Sequence, residues 1–338
     1  MDKSAANSYI YAKASGLLGK SFIDERASEL FNVKSLPELW TLIFGSQPPM
    51  LPEVLLAKEI EAQALKRLIN QYVYFLRQFD RPQKILELPL RVFDADNLKT
   101  VGAALCAGEK ECPALCDLGQ YSGFDFSYWP DIKKITEGTS FSWYNEVPDI
   151  HKQQENEYKI DIQNVKNFWK AINTLSGQDY EILANLFKTE YTIKNIVWVL
   201  RLKINYQMPV EKIIENMIYV TDAPSKEDPL AGPAFAILNK ETDSWDQWAD
   251  WRYAYLLNPH VPGEVWNVDP AWIEGQGRIK ITKMAKQAFH QNPMSVSSLI
   301  GWFKVKSFEL SCIRMAVESM RLGISSEEAM NTVGIIAR

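Results

Sequence analysis

The stretch whose residue types and spacing come nearest to a known chemistry is Ala14 to Ser21, ASGLLGKS. It has the outline of a phosphate-binding loop with alanine in place of the first glycine. Such a loop works between a buried strand and a helix, where backbone N–H groups converge on phosphate. Here the preceding NSYIYAK is short and polar, and no alternating strand and helix units follow, so an N-terminal helix over residues 5–27 is expected instead. The three histidines, His151, His260 and His290, sit in separate polar or loop contexts, and no pair has H-x-x-x-H spacing. No G-x-S-x-G or G-x-G-x-x-G occurs. Cys106, Cys112 and Cys116 lie close together without CxxC spacing or a second ligand pair, and Cys312 is remote, so reduced thiols are expected rather than a metal centre. The acidic pairs Glu25 and Glu29, and Glu327 and Glu328, read as a solvated helix face and a helix N-terminus. Neither catalytic residues nor a cofactor or metal site is therefore expected, and a binding or mechanical role is favoured.

The elements around these residues are helical. SLPELWTLIF, Ser35 to Phe44, has Ser35 as N-cap, Pro37 in the first turn and Glu38 at the capping-box position; Gly45 ends it. A long helix is expected from Pro52 to Gln78, with Leu56, Ile60, Leu68, Tyr72 and Leu76 on its buried side. Residues 108–130 are a connection and residues 221–233 a surface loop. In SWDQWADWRYAYLLNP the spacing of Trp245, Trp248, Trp251 and Tyr255 places an aromatic stripe on one helix face. A crossing over residues 258–277 precedes helices at Ile279 to Gln291 and Val296 to Leu322, and Ser325 with Glu328 caps a last helix. Strict apolar and polar alternation is rare, so the fold class is all-α.

One pattern recurs. In Leu183 to Met208, residues Ile193, Ile196, Val197, Leu200 and Ile204 follow one helix face, with Arg201, Lys203 and Asn205 beside it. Moving back 98 positions places Phe93, Asn97, Leu98 and Val101 on Tyr191, Asn195, Ile196 and Val199. Moving forward 113 positions places Leu310, Ile313 and Arg314 on Val197, Leu200 and Arg201. Three degenerate copies of one helical unit are expected, over residues 1–118, 119–236 and 237–338. Any two amphipathic helices share a period, so a chance match stays open. The 338 residues exceed a single core. The composition, 46% hydrophobic and 23% charged, is that of a globular protein. A net charge of −5, from 37 basic against 42 acidic side chains, excludes the positive field of a general nucleic-acid binder. No apolar run is long enough to span a bilayer, and the first residues lack a signal-peptide pattern, so a cytoplasmic location is expected.

Four stretches carry a resemblance: SYIYAKASGLLGKSFI near the start, FDADNLK at Phe93 to Lys99, YTIKNIVWVLRLK at Tyr191 to Lys203, and FKVKSFELSCIRMAVESMRLGISSEE near the end. Their order and spacing resemble the C-type subunits of archaeal and bacterial V-type (A-type) rotary ATPases, the family that includes the d-type subunits of eukaryotic vacuolar ATPases. There are departures: Cys312 stands where asparagine is expected, and Gly102 and Ala103 where arginine often follows the first-unit asparagine. The resemblance implies three similar all-helical domains in a pseudo-threefold funnel. It also implies a non-catalytic central-stalk component that seats the shaft (D- and F-type subunits) on the membrane proteolipid c-ring, transmits torque and stays peripheral to the membrane. Asn97, Lys99, Asn195, Arg201, Lys306 and Arg314 recur beside the apolar stripes, either as ring- or shaft-facing residues or as caps and bridges between domains. A helical scaffold of another soluble complex, and a helical enzyme with a composite site, are the alternatives.

Overall fold

A computed structural model describes residues 1–335. Its helices are α1 (Lys3–Leu18), α2 (Glu29–Asn32), α3 (Leu36–Phe44), α4 (Glu53–Leu76), α5 (Lys84–Cys106), α6 (Ile132–Thr136) and α7 (Gln153–Ile172). They continue with α8 (Gly177–Ile204), α9 (Val210–Glu215), α10 (Trp245–Trp248), α11 (Pro270–Gln291), α12 (Val296–Leu322) and α13 (Ser326–Val333). Short 3₁₀ turns join them, and no strand occurs among the described residues, so the chain is all-α.

Local chemistry sets several boundaries as expected. The Ser35 side chain accepts from Glu38 N, Glu38 accepts from Lys34 N at 2.9 Å, and Gly45 closes α3 in the left-handed conformation at φ 67°. Ser325 caps α13 by accepting from Glu328 N at 3.2 Å. The buried side of α4 carries Leu56, Ile60, Leu68, Tyr72 and Leu76 at helical spacing.

Three expectations are corrected by tertiary packing. The N-terminal helix stops at Leu18, and a separate 3₁₀ turn spans Asp24–Ser28. The aromatic run is not one helix face. Helix α10 is four residues long, Trp248 meets Trp251 edge-on at 5.2 Å, and Trp245 stacks on His260 at 4.8 Å and meets Trp266 at 5.0 Å. Each ring finds its partner in a neighbouring turn or the following crossing, and this packing overrides a local period. Tyr255 is left exposed. Third, α11 begins at Pro270, capped by Asp269, so its glycines lie inside the helix and not in a crossing. A Cβ on Gly277 would stand 2.5 Å from Ile193 Cγ2, so this glycine lets α11 approach α8 closely.

The buried apolar residues form three clusters. The first joins α1 to α4, the start of α5, parts of α7 and α8, and α12 with α13, so both ends of the chain share one core. The second covers the C-terminal half of α8 with α9, the tryptophan cluster and the start of α11. The third covers the rest of α5 with residues 124–144 and the start of α7. Among the long helices the most extensive contact is α11 with α12, and α8 also packs on α11, α5 on α7 and α12 on α4. None of the described helices is long and apolar enough to cross a membrane.

Candidate functional site

The asparagines singled out by recurrence do the same thing in two places. Asn97 on α5 donates from Nδ2 to Cys116 O at 2.8 Å and accepts from Cys116 N at 2.8 Å. Asn195 on α8 donates to Ile218 O at 3.0 Å and accepts from Ile218 N at 2.7 Å. A side-chain amide that pairs with a backbone amide satisfies a donor and an acceptor at once, and here it does so for the half-buried Cys116 and Ile218. Both asparagines are buried. They clamp the chain that follows their own helix.

On α12 the clamp is ionic. Lys306 and Glu309 are both buried and paired with each other, Lys306 also donates to Ser21 Oγ at 2.9 Å, and Glu309 accepts from Phe22 N at 2.7 Å. Here the clamped loop follows α1, from the other end of the chain. The 113-position offset expected from the apolar stripe sets Asn195 against the half-buried Phe308. The buried polar residues align one helical turn further on. FDADNLK, YTIKNIV and FELSCIR then place Asp94, Thr192 and Glu309 in one buried column and Asn97, Asn195 and Cys312 in another. An apolar stripe repeats at every turn, so it matches nearly as well one turn out of register, whereas a buried polar residue does not.

Asp94 and Thr192 extend the clamps. Asp94 accepts from Ser122 Oγ at 2.8 Å and Gly123 N at 2.5 Å and pairs with Arg91 at 2.6 Å; burial still holds its carboxyl above the usual range. Thr192 donates to Leu230 O at 3.3 Å. Leu230 belongs to the stretch expected to be a surface loop, and there the expectation is corrected. Buried Asp228 accepts from Val220 N, Thr221 N, Leu230 N and Ala231 N at 2.8–2.9 Å and turns the segment inward. The sequence carries a signal for this, an aspartate opening the Asp-Pro-Leu-Ala-Gly turn, because a short carboxylate satisfies nearby N–H groups.

The three remaining candidates are cations on the same long helices, each facing an acid on the paired helix. Lys99 of α5 pairs with Asp161 of α7 at 2.5 Å, and Arg201 of α8 with Glu274 of α11 at 2.5 Å. Arg314 of α12 is exposed and acts electrostatically on Glu61 of α4, whose pKa burial raises and Arg314 pulls down. Asn97, Asn195 and Lys306 are therefore interior, while Lys99, Arg201 and Arg314 sit at the rims of the three helix pairs.

A feature that no residue pattern announced is a set of exposed apolar segments, one shortly before or at the start of each second helix of a pair. Met50, Leu51, Val54 and Leu55 precede and open α4; Trp143, Val147 and Ile150 precede α7; Val261, Val265 and Trp272 precede and open α11. Met50 is 97% exposed, Ile150 73% and Val265 89%. Large apolar side chains left in water in this way mark contact surfaces. Carboxylates accompany each segment: Glu53, Glu146 with Asp149, and Glu264.

The titratable residues set aside by the sequence are scattered. His151 is exposed, His260 is stacked on Trp245, and His290 lies 3.5 Å from the Tyr11 hydroxyl. All four cysteines are free thiols. Among the described residues no cluster of three or more His, Cys, Asp or Glu has the geometry to hold a metal ion.

Comparison with known proteins adds two observations. The family profile described as ATP synthase (C/AC39) subunit matches residues 7–332. The chain is also similar to a protein of Treponema pallidum (strain Nichols) described as uncharacterized, with 26% identity over 335 residues, 96% of this chain and 95% of the relative.

Proposed function

The chain belongs to the ATP synthase (C/AC39) subunit family, and from that premise we propose that it is a non-catalytic rotor subunit, seating the central shaft on a membrane proteolipid ring and transmitting torque. It works from the cytoplasmic side, peripheral to the membrane, with D- and F-type shaft subunits and the ring as partners.

The observation that carries this reading is that α5 packs on α7, α8 on α11 and α12 on α4, with an exposed apolar segment shortly before or at the start of α7, α11 and α4. We read these pairs as three similar units about a pseudo-threefold axis. On that reading a rotation about the axis keeps equivalent helix N-termini on one side and brings the three apolar segments to one face. A coupling must resist shear, and packed helices with clamped loops do so better than mobile loops. Lys99, Arg201 and Arg314 brace the pairs at their rims and contribute to the partner-facing surface.

We assign the apolar face to the ring. Cytoplasmic loops of membrane proteins carry excess lysine and arginine, and the carboxylates Glu53, Glu146, Asp149 and Glu264 beside the apolar segments complement that charge. Many weak contacts suit a ring whose symmetry differs from that of three units, because exposed ion pairs are worth about 0–1 kcal/mol and exchange partners readily. The test is the triple variant Met50→Asp, Ile150→Asp, Val265→Asp, whose sites are exposed enough to leave the fold intact. Tagged and purified from native membranes in mild detergent, it should retain the shaft subunits and lose the proteolipid ring. Recovery of the ring at wild-type level would refute the assignment.

A further inference from the structure

A cavity of about 240 Å³ lies where the segment after α1 meets α3, α4 and α12, beside the ionic clamp. Its charged lining is Lys20, Arg26, Arg67 and Lys306 against one carboxylate, Glu309. Glu309 is already neutralised by Lys306. Arg26 shares its charge with Glu29 at 3.1 Å and lies over the Phe22 ring. Lys20 and Arg67 make no ion pair among the described residues, and Arg67 donates one N–H to Ile43 O at 2.9 Å. Among the described residues these two positive charges have no counter-charge.

A second observation points the same way. Lys306 shows the local excess of charge independently: burial lowers its pKa, Glu309 opposes this, and the charge of Arg67 adds to the lowering.

We propose that this cavity binds a small phosphate-bearing anion, held by Arg67 and Lys20. Guanidinium and ammonium groups facing one void supply the fork and point charges that phosphate oxygens accept. The volume falls below the range of sites for drug-sized ligands, which selects phosphate or pyrophosphate over a nucleotide. The run ASGLLGKS delivers Lys20 and Ser21 to this place, but at the end of a helix and not as a cradle of backbone N–H groups. Anion binding here does not depend on the rotor role.

The experiment is calorimetric titration of the purified full-length chain with inorganic phosphate and with pyrophosphate at low ionic strength. Saturable binding is expected, with a rise in Tm that grows with probe concentration. Arg67→Gln and Lys20→Gln, both at exposed side chains, should keep the wild-type circular dichroism and each weaken binding at least tenfold. Absence of saturable binding by either probe, or equal binding by folded Arg67→Gln, would overturn the proposal. Co-sedimentation with phosphatidic acid vesicles, without binding of the free anions, would also overturn it and transfer the site to a lipid headgroup.

Discussion

The clamp on α8 and the clamp on α12 solve one problem with different chemistry. Asn195 holds Ile218 with a neutral, self-contained pair of hydrogen bonds, and nothing about it depends on ionisation. The equivalent position on α12 is Cys312, which cannot reach out in this way, and the loop is held from Glu309, with Lys306 as the counter-charge. A neutral clamp costs little desolvation, whereas a buried ion pair must desolvate both ions and is sensitive to whatever charge lies near it. The neutral clamp is a fastening between neighbours in sequence. The ionic one ties together the two ends of the chain and borders a cavity with excess positive charge.

The largest expected effect comes from breaking the ionic clamp on one side. Lys306→Met leaves Glu309 buried without its counter-charge and should lower stability by about 3–5 kcal/mol in denaturant unfolding. The double variant Lys306→Met, Glu309→Leu removes both charges and should recover most of that loss, except for the Phe22 N–H left without an acceptor. A double variant no more stable than the single one would show that the clamp acts through shape and not through charge.

Next in size is the neutral clamp. Asn195→Ala strands the Ile218 N–H and C=O; Ile218 is half-buried, so each group should cost about 1–2 kcal/mol, the low end of the usual range, and the pair about 2–4 kcal/mol. No ionisable group takes part in this clamp, so its loss should be the same at pH 5 and pH 8. A pH-dependent loss would erase the distinction between the clamps.

The helix pairs offer a smaller contrast. A Cβ on Gly301 would stand 2.6 Å from Ala285 O and 2.9 Å from Phe289 N, both backbone atoms of α11, so Gly301→Ala must move a helix and should cost about 1–3 kcal/mol. At Gly277 the obstacle is Ile193 Cγ2, which branches from Cβ of a buried helical residue with one strongly preferred χ1, so α8 must give way there and Gly277→Ala should cost a similar amount. A Gly301→Ala variant with the wild-type Tm would contradict the view that the α11–α12 contact is set by backbone approach.

These contrasts also mark what is legible in the sequence. Helix class and most long-helix boundaries are readable because caps such as Ser35 and Ser325 and the stripe of α4 are local signals. Recurrence points to Asn97 and Asn195, but their partners, Cys116 and Ile218, lie in loops without a period of their own. Lys306 reads as a residue beside the stripe and is buried, because burial beside Ser21 depends on two chain ends meeting. The aromatic run misleads for the same reason: Trp266 and His260 supply its packing from outside the run. The exposed Met50, Ile150 and Val265 leave no trace in sequence, since an apolar residue in a loop looks the same whether buried or not.

The smallest effect lies between the two clamps, where α8 is tied to α12. Glu190 of α8 pairs with Lys194 at 2.9 Å and with Lys304 of α12 at 2.6 Å. Burial alone would raise its carboxyl pKa, but the two ammonium groups outweigh burial and hold it at about 2, against an ordinary 4.5. A carboxylate whose folded pKa lies below its unfolded one contributes stability at pH values above the unfolded pKa, and loses it as the pH falls from about 4.5 toward about 2. Lys194 is half exposed, so solvent screens its share and the contribution at pH 7 should be about 1 kcal/mol. Glu190→Gln should therefore be less stable than the wild type at pH 7 and nearly equal to it at pH 2, the gap closing between those limits. A constant gap across that range would mean that Glu190 holds α8 to α12 by packing and not by charge.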